Sequence, residues 1–221
     1  MSDHEKIYSK LLQTIVEHRL PPGARLPEDK LSEAFNVSRT GIRKVLQRLE
    51  IERFVMIRPN KGAQVNVPSE KEANEVFDSR ILVESELIPA LLKHWDGQQS
   101  KRFSTMVEQE KQADSNNDLA TSIQLTAKFH YELAALAGNS ILAQLVEQLC
   151  YRSSLVIAAY GSRNSVGCDC GDHSDLIRIL DDGEVAQAQA WMQNHLRHIK
   201  SSLHIEGKKN EEIDFQRLFS S

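Results

Sequence analysis

Residues 28–65 read EDKLSEAFNVSRTGIRKVLQRLEIERFVMIRPNKGAQV, and this stretch decides the fold. Leu31, Ala34 and Phe35 recur at helical spacing and predict a helix over residues 28–35. Asn36-Val37 leaves room only for a tight turn. Ser38 has the side-chain oxygen that an N-cap needs, so a further helix is expected from there to Glu52. Ile42, Val45, Leu46 and Leu49 form its apolar face; Arg39, Thr40, Arg43, Lys44, Gln47 and Arg48 form the opposite one. Two short strands are expected at 54–57 and 63–67, around Arg58-Pro59-Asn60-Lys61-Gly62, where Asn and Gly supply turn chemistry.

Upstream, Ile7, Leu11, Leu12, Ile15 and Val16 predict a helix over residues 5–19, stopped by Leu20-Pro21-Pro22-Gly23 because proline has no N–H to donate. Three helices, a tight turn and a hairpin make a winged helix-turn-helix over residues 1–68. In that design the third helix enters the major groove of DNA. Arg39 and Arg43 lie one turn apart, and a guanidinium fork can grip guanine O6 and N7 together. Ser38 and Thr40 stand at the helix N-terminus, where free N–H groups already favour phosphate. Lys44 and Arg48 extend the basic face, and Lys61 and Gly62 at the wing tip reach toward a neighbouring groove. A solvated basic face on a small helical domain is the plainer reading; the joint occurrence of turn, cap, basic face and wing outweighs it.

Charge divides the chain in the same place. Residues 1–67 hold 12 Lys/Arg against 8 Asp/Glu, and the remainder holds 15 against 23. A basic front on an acidic body suits a protein whose front alone meets a polyanion. The 221 residues have room for two small domains. Mean hydropathy is −0.43, and no apolar run approaches the roughly 18–20 residues of a membrane span. The polar start, Met1-Ser2-Asp3-His4-Glu5, is unlike a secretory signal. Three cysteines, Cys168 and Cys170 being one residue apart, cannot build a disulfide scaffold, so a reducing cytoplasm is expected.

After a linker at Val67-Pro68-Ser69-Glu70, helical periodicity takes over. Helices are expected at 70–95, 98–113, 117–137, 140–160, 172–181 and 184–205, giving a mainly α chain whose second domain, 75–205, is an all-α bundle. Pro89 should kink or locally break the first of these, and Gly138-Asn139 should end the third. Residues 161–171 form the longest loop, and 206–221 a charged tail. Arg80 and Glu84, one turn apart, are read equally as an i,i+4 salt bridge or as an effector clamp led by the arginine. Cys168 and Cys170 are read as ordinary loop thiols rather than metal ligands. His198 is left open between solvent and a place behind His195, and Tyr151, Arg152 and Tyr160 are candidates for a cavity wall. No Gly-rich phosphate loop, serine nucleophile elbow or His-Glu-x-x-His pattern is present, so an enzyme is not expected.

Two resemblances sharpen this reading. PPGARL (21–26), LSEAFNVSRT (31–40), IRKVLQRLE (42–50) and PNKGAQV (59–65) resemble the DNA-binding domain of GntR-type bacterial transcription regulators. Gly41 and Lys44-Val45 depart from the family's usual Pro and Glu-Ala, and Asp29 stands where some members carry a DNA-contacting Arg. FDSRILVESEL (77–87), KFHYELAALAGN (128–139) and residues 172–199 resemble the FCD type of effector domain, a bundle of six or seven helices. That resemblance implies a divalent metal held by His130, His173 and His195, with a carboxylate-bearing metabolite beside it. Imidazoles from facing helices suit Zn²⁺ or Ni²⁺. Thr126 stands where the family's acidic ligand usually lies, and is expected to hold water or effector instead. Arg80, Thr126 and Tyr151 are the expected effector contacts. The resemblance further implies a homodimer on a near-palindromic operator in double-stranded DNA, with repression the commoner outcome. The rivals are a metal-dependent enzyme built on the three histidines and a DNA-binding protein without an effector.

Overall fold

In the computed structural model, residues 3–161 and 172–203 are described. The expected thiols Cys168 and Cys170, most of the 161–171 loop and the 206–221 tail lie outside the described residues.

The front of the chain runs α1 (Asp3–Val16), β1 (Arg25–Leu26), α2 (Glu28–Ala34), α3 (Arg39–Ile51), β2 (Val55–Arg58) and β3 (Gly62–Val65). Ser38 Oγ accepts the Gly41 N–H at 3.2 Å and starts α3 as its cap. Ile42, Val45, Leu46 and Leu49 are buried with Leu11, Ile15, Leu31 and Phe54 in one core. The expected apolar face of the third helix is therefore the face that packs.

Three details differ from expectation. α1 stops at Val16 rather than Arg19, because His18 adopts a left-handed backbone (φ 60°) and the Leu20 N–H turns back to the Thr14 carbonyl. The prolines follow a break already made. The hairpin also gains a third strand: β1 pairs antiparallel with β3, giving the order β1-β3-β2. Two residues are too few to leave a periodic signal in sequence. Lastly, Gly41 lies against α1: a Cβ there would come within 3.0 Å of His4 Nε2, the tip of an exposed side chain.

The body is α4 (Glu70–Leu91), a 3₁₀ turn (Leu92–His94), α5 (Gly97–Ser115), α6 (Leu119–Ala135), α7 (Ser140–Tyr160), α8 (His173–Asp181) and α9 (Val185–Ser201). Side-chain caps set the starts: Ser69, Asp96, Asp118, Asn139 and Asp172 each accept a backbone N–H from the turn they open. Gly138 (φ 73°) closes the turn between α6 and α7 in a conformation that costs any side chain strain. α4 packs on α9 and α7, α6 on α7 and α5, and α8 on α5 and α9. Phe77, Phe103, Phe129, Leu176, Met192 and Leu196 fill the core between them.

Of the expected kink or break at Pro89, the break does not occur. The carbonyl it frees, that of Ser85, accepts a hydrogen bond from Gln189 Nε2 on α9 at 3.2 Å, and the helix continues to Leu91. The front and the body meet along α1 and α7. Leu155 of α7 joins the front core, and Ser154 Oγ donates to the Val16 carbonyl at 2.7 Å. Among the described residues no helix is long and apolar enough to cross a membrane.

Candidate DNA-reading face and histidine centre

Ser38, Arg39, Thr40, Arg43 and Lys44 lie exposed at the start and along the outer side of α3, and Lys61 and Gly62 lie exposed at the hairpin tip. Gly62 (φ 75°) and Asn60 (φ 61°) make the tip turn. Arg43 is already engaged: its Nε and Nη2 donate to Glu28 at 3.0 and 2.7 Å as a two-pronged pair. That bond holds the Glu28 carboxyl below the usual carboxylate range. Its length matches what the same fork makes with a guanine edge. Arg48 is placed differently from the expectation. It turns toward α1, donating to Glu5 (2.7 Å) and Glu52 (3.3 Å) with its guanidinium 3.7 Å above the Tyr8 ring. Arg48 therefore ties α3 to α1, while Arg39, Arg43 and Lys44 remain the outward cations of the helix.

The second site lies inside the body. His130 comes from the middle of α6, His173 from the first residue of α8 and His195 from the middle of α9. All three are buried, and a ligand nitrogen of each lies within 4.8 Å of the others. Two carboxylates set two of the rings. His130 Nδ1 is 2.6 Å from Glu84 Oε2, and His173 Nδ1 is 2.8 Å from Glu110 Oε2. Each carboxylate accepts a hydrogen bond from Nδ1–H, an arrangement that turns Nε2 outward as the free ring nitrogen. The Nε2 atoms of His130 and His173 are buried with no hydrogen-bond partner. The third ring, His195, stacks on Trp191 at 4.7 Å. Burial holds His130 down, to about 4, against the pull of Glu84, and lowers His195 as well. Buried imidazoles with unused nitrogens, backed by carboxylates, are a donor set that fits Zn²⁺ or a similar divalent ion.

Arg80 forms the salt bridge of its first reading. It is a buried salt bridge, Nε to Glu84 Oε1 at 2.6 Å, and Nη1 donates to Ser153 Oγ at 2.9 Å. Burial alone would raise the Glu84 carboxyl, but Arg80 and His130 hold it at about 2. The remaining nitrogen, Arg80 Nη2, is buried without a partner. Arg80, His130 and His173 line one cavity of about 50 Å³, together with Glu110, Thr126, Ser153, Ser154 and, from the front of the chain, His18. His18 Nε2 is 2.8 Å from the Ser154 carbonyl, so it carries the proton, and 3.1 Å from Ser154 Oγ.

The other two expected effector contacts are placed apart. Thr126 lines the cavity, and its Oγ1 donates to Glu110. Tyr151 lies elsewhere, in a cleft of about 550 Å³ between α1 and α6–α7 with Tyr8 and Tyr131, and its hydroxyl donates to Glu147 at 3.0 Å. Arg152 pairs with Glu72, Tyr160 bonds the Pro68 carbonyl, and His198 is exposed. Glu110, His18, Ser153 and Ser154 carried no mark in the sequence. Glu110 sits in a polar run where any acid reads as solvated, and His18 belongs to the other half of the chain.

Comparison with known proteins bears on both sites. The model for bacterial regulatory proteins of the gntR family matches residues 3–65, and the FCD domain model matches residues 75–198. The chain belongs to the gntR family. It is a DNA-binding transcription regulator of the GntR/FCD type, and the matched family and relatives are regulators rather than enzymes. The Exu regulon transcriptional regulator of Escherichia coli K12 is 25% identical over 98% of this chain and 92% of its own length. The HTH-type transcriptional repressor RspR of the same organism is 24% identical over 90% of this chain and 88% of its own. The chain spans 65% of the length of the regulator YdhC of Bacillus subtilis, at 26% identity. Among solved structures, a GntR regulator from Rhodococcus superposes with a TM-score of 0.76 (21% identity, 91% of this chain, 97% of that one). McbR/YncC of Escherichia coli superposes at 0.75 (18% identity, 90% and 95%). These two establish the likeness of fold.

Proposed function

We propose that this GntR/FCD chain is a repressor whose grip on DNA depends on what occupies the histidine cavity. Residues 1–68 act as the DNA-reading unit, through Ser38, Arg39, Thr40, Arg43, Lys44, Lys61 and Gly62. Residues 75–205 act as the effector and dimerisation unit, and a homodimer presents two α3 helices to two half-sites. His130, His173 and His195 hold Zn²⁺ or Ni²⁺, which supplies positive charge to an anionic ligand. Arg80 Nη2 offers that ligand a charged donor. The effector is a small carboxylate. The name of the relative RspR, a repressor, agrees with the sign.

One observation carries the reading: His130, His173 and Arg80, each with a buried nitrogen that lacks a hydrogen-bond partner, line one cavity, and a residue of the DNA-reading unit, His18, lines it with them. A space of about 50 Å³ holds an ion and a water or two, far less than the roughly 300 Å³ of a small-molecule pocket. A metabolite enters only as a wall gives way. The helical walls are packed into the two cores of the body, whereas His18 stands beyond the end of α1 and its ring is held by Ser154. Moving that ring loosens the joint between α7 and α1, which is differential binding to two arrangements, as ligand control requires. A protein that merely coats DNA needs no such cavity.

The test is fluorescence anisotropy with labelled DNA from beside the protein's own gene, titrated with small chelating carboxylates. Expected is tight, salt-sensitive binding, released dose-dependently by at least one carboxylate. Equal affinity for random DNA of the same length contradicts the reading.

A further inference from the structure

Thr126 is the position at which the FCD resemblance asks for an acid, and its hydroxyl is spent on a carboxylate from another helix. Glu110 of α5 reaches into the same cavity wall. Its Oε1 accepts Thr126 Oγ1 and its Oε2 lies 2.8 Å from His173 Nδ1. Nothing exposed competes for it: its side chain is 14% exposed and both oxygens are engaged inside.

We infer that Glu110 is the replacement for the missing acid, a positioning residue that supplies the metal site's negative charge from α5 through His173. This rests on the three-histidine metal reading above. The chemistry is that of a carboxylate behind an imidazole ligand. Glu110 fixes the tautomer of His173 so that Nε2 faces the other two histidines, and it makes that nitrogen a stronger donor. Glu84 does the same for His130 at 2.6 Å, so two of the three rings are backed by anions. Thr126 orients Glu110 by occupying its other oxygen. The acid's charge is retained, while the direct ligand position it would have filled is left to water or effector.

Zinc titration of the metal-free full-length chain against a fluorescent zinc chelator tests this. Glu110→Gln keeps shape and loses charge; its zinc affinity is expected to fall about 10- to 100-fold. Adding Thr126→Asp to Glu110→Gln restores a carboxylate one turn before His130, and the double variant should recover to within about threefold of wild type. A packing role for Glu110 would not be rescued from another helix. Thermal unfolding in EDTA checks that both variants are folded. Wild-type zinc binding with an unchanged Glu110→Gln affinity overturns the inference and leaves the three-histidine site standing. Loss without rescue by Thr126→Asp also overturns it, because charge would then not be what Glu110 contributes. A wild-type chain that binds no zinc overturns the metal reading itself.

Discussion

Arg39→Ala and Arg43→Ala are each expected to weaken specific operator binding by roughly tenfold to a hundredfold, the worth of a two-pronged base contact. Both side chains are exposed on the outer side of α3, where its first turns present them together. Arg43 carries a second possibility, because its fork is held by Glu28 when no DNA is bound. If that pair merely braced α2 against α3, Glu28→Ala would weaken DNA binding as much as Arg43→Ala. If Arg43 reads bases, Glu28→Ala leaves binding intact or tightens it, since the fork no longer has to leave a partner. Lys44→Ala should act differently again, lowering affinity for all sequences and reducing the salt dependence by about one counterion. Anisotropy titrations at several salt concentrations separate the three cases. Unchanged affinity in both arginine variants would remove α3 as the reading helix.

Arg80→Ala is expected to have the largest effect on stability. The side chain is 5% exposed and its partner Glu84 2%. Removing the guanidinium leaves a buried carboxylate with His130 as its remaining side-chain partner, a change that costs roughly 3–5 kcal/mol. For a chain of this size that is a fall in Tm of roughly 6–20 °C. Adding Glu84→Gln to Arg80→Ala removes the stranded charge and should recover part of the loss. The double variant should nevertheless remain deaf to carboxylate, because Arg80 Nη2, the donor facing the cavity, is gone. Calorimetry and the DNA-release assay read the two effects separately. A Tm within about 2 °C of wild type in Arg80→Ala would contradict the buried pair, and intact carboxylate release in the double variant would contradict the clamp.

The parts of the molecule that were readable from sequence are those set by local chemistry. Ser38 caps α3 as its short oxygen-bearing side chain beside a helix start predicts, and Ser69, Asp96, Asn139 and Asp172, unmarked as caps in the sequence, cap by the same chemistry. The buried face of α3 follows from spacing alone. What was not readable depends on elements distant in sequence. Pro89 looks like a break until Gln189, 100 residues later, takes the freed carbonyl. β1 exists only because β3 lies beside it. Arg48 looks like one more DNA cation until Glu5 and Tyr8 claim it.

The histidine centre divides in the same way. His130, His173 and His195 were recognisable as a set through the FCD resemblance, and they do converge. Their supporting carboxylates were only half visible. Glu84 stood out beside Arg80 on one helix face, whereas Glu110 is one acid among several on α5 and only the packing of α5 against α6 and α8 marks it. Tyr151 and its neighbours separate because one turn of α7 faces two hollows: Ser153 and Ser154 line the histidine cavity, and Tyr151 lines the cleft with Tyr8. Helical spacing says that these residues differ in direction without saying what lies on either side.

The account turns on the three histidines holding a divalent ion. Elemental analysis of the untagged chain, beside a His173→Ala/His195→Ala double variant, tests this most directly. About one zinc or nickel per wild-type chain, absent from the variant, is the predicted result. A wild-type chain free of metal after purification without chelators, and still free after incubation with zinc and removal of the excess, would contradict it.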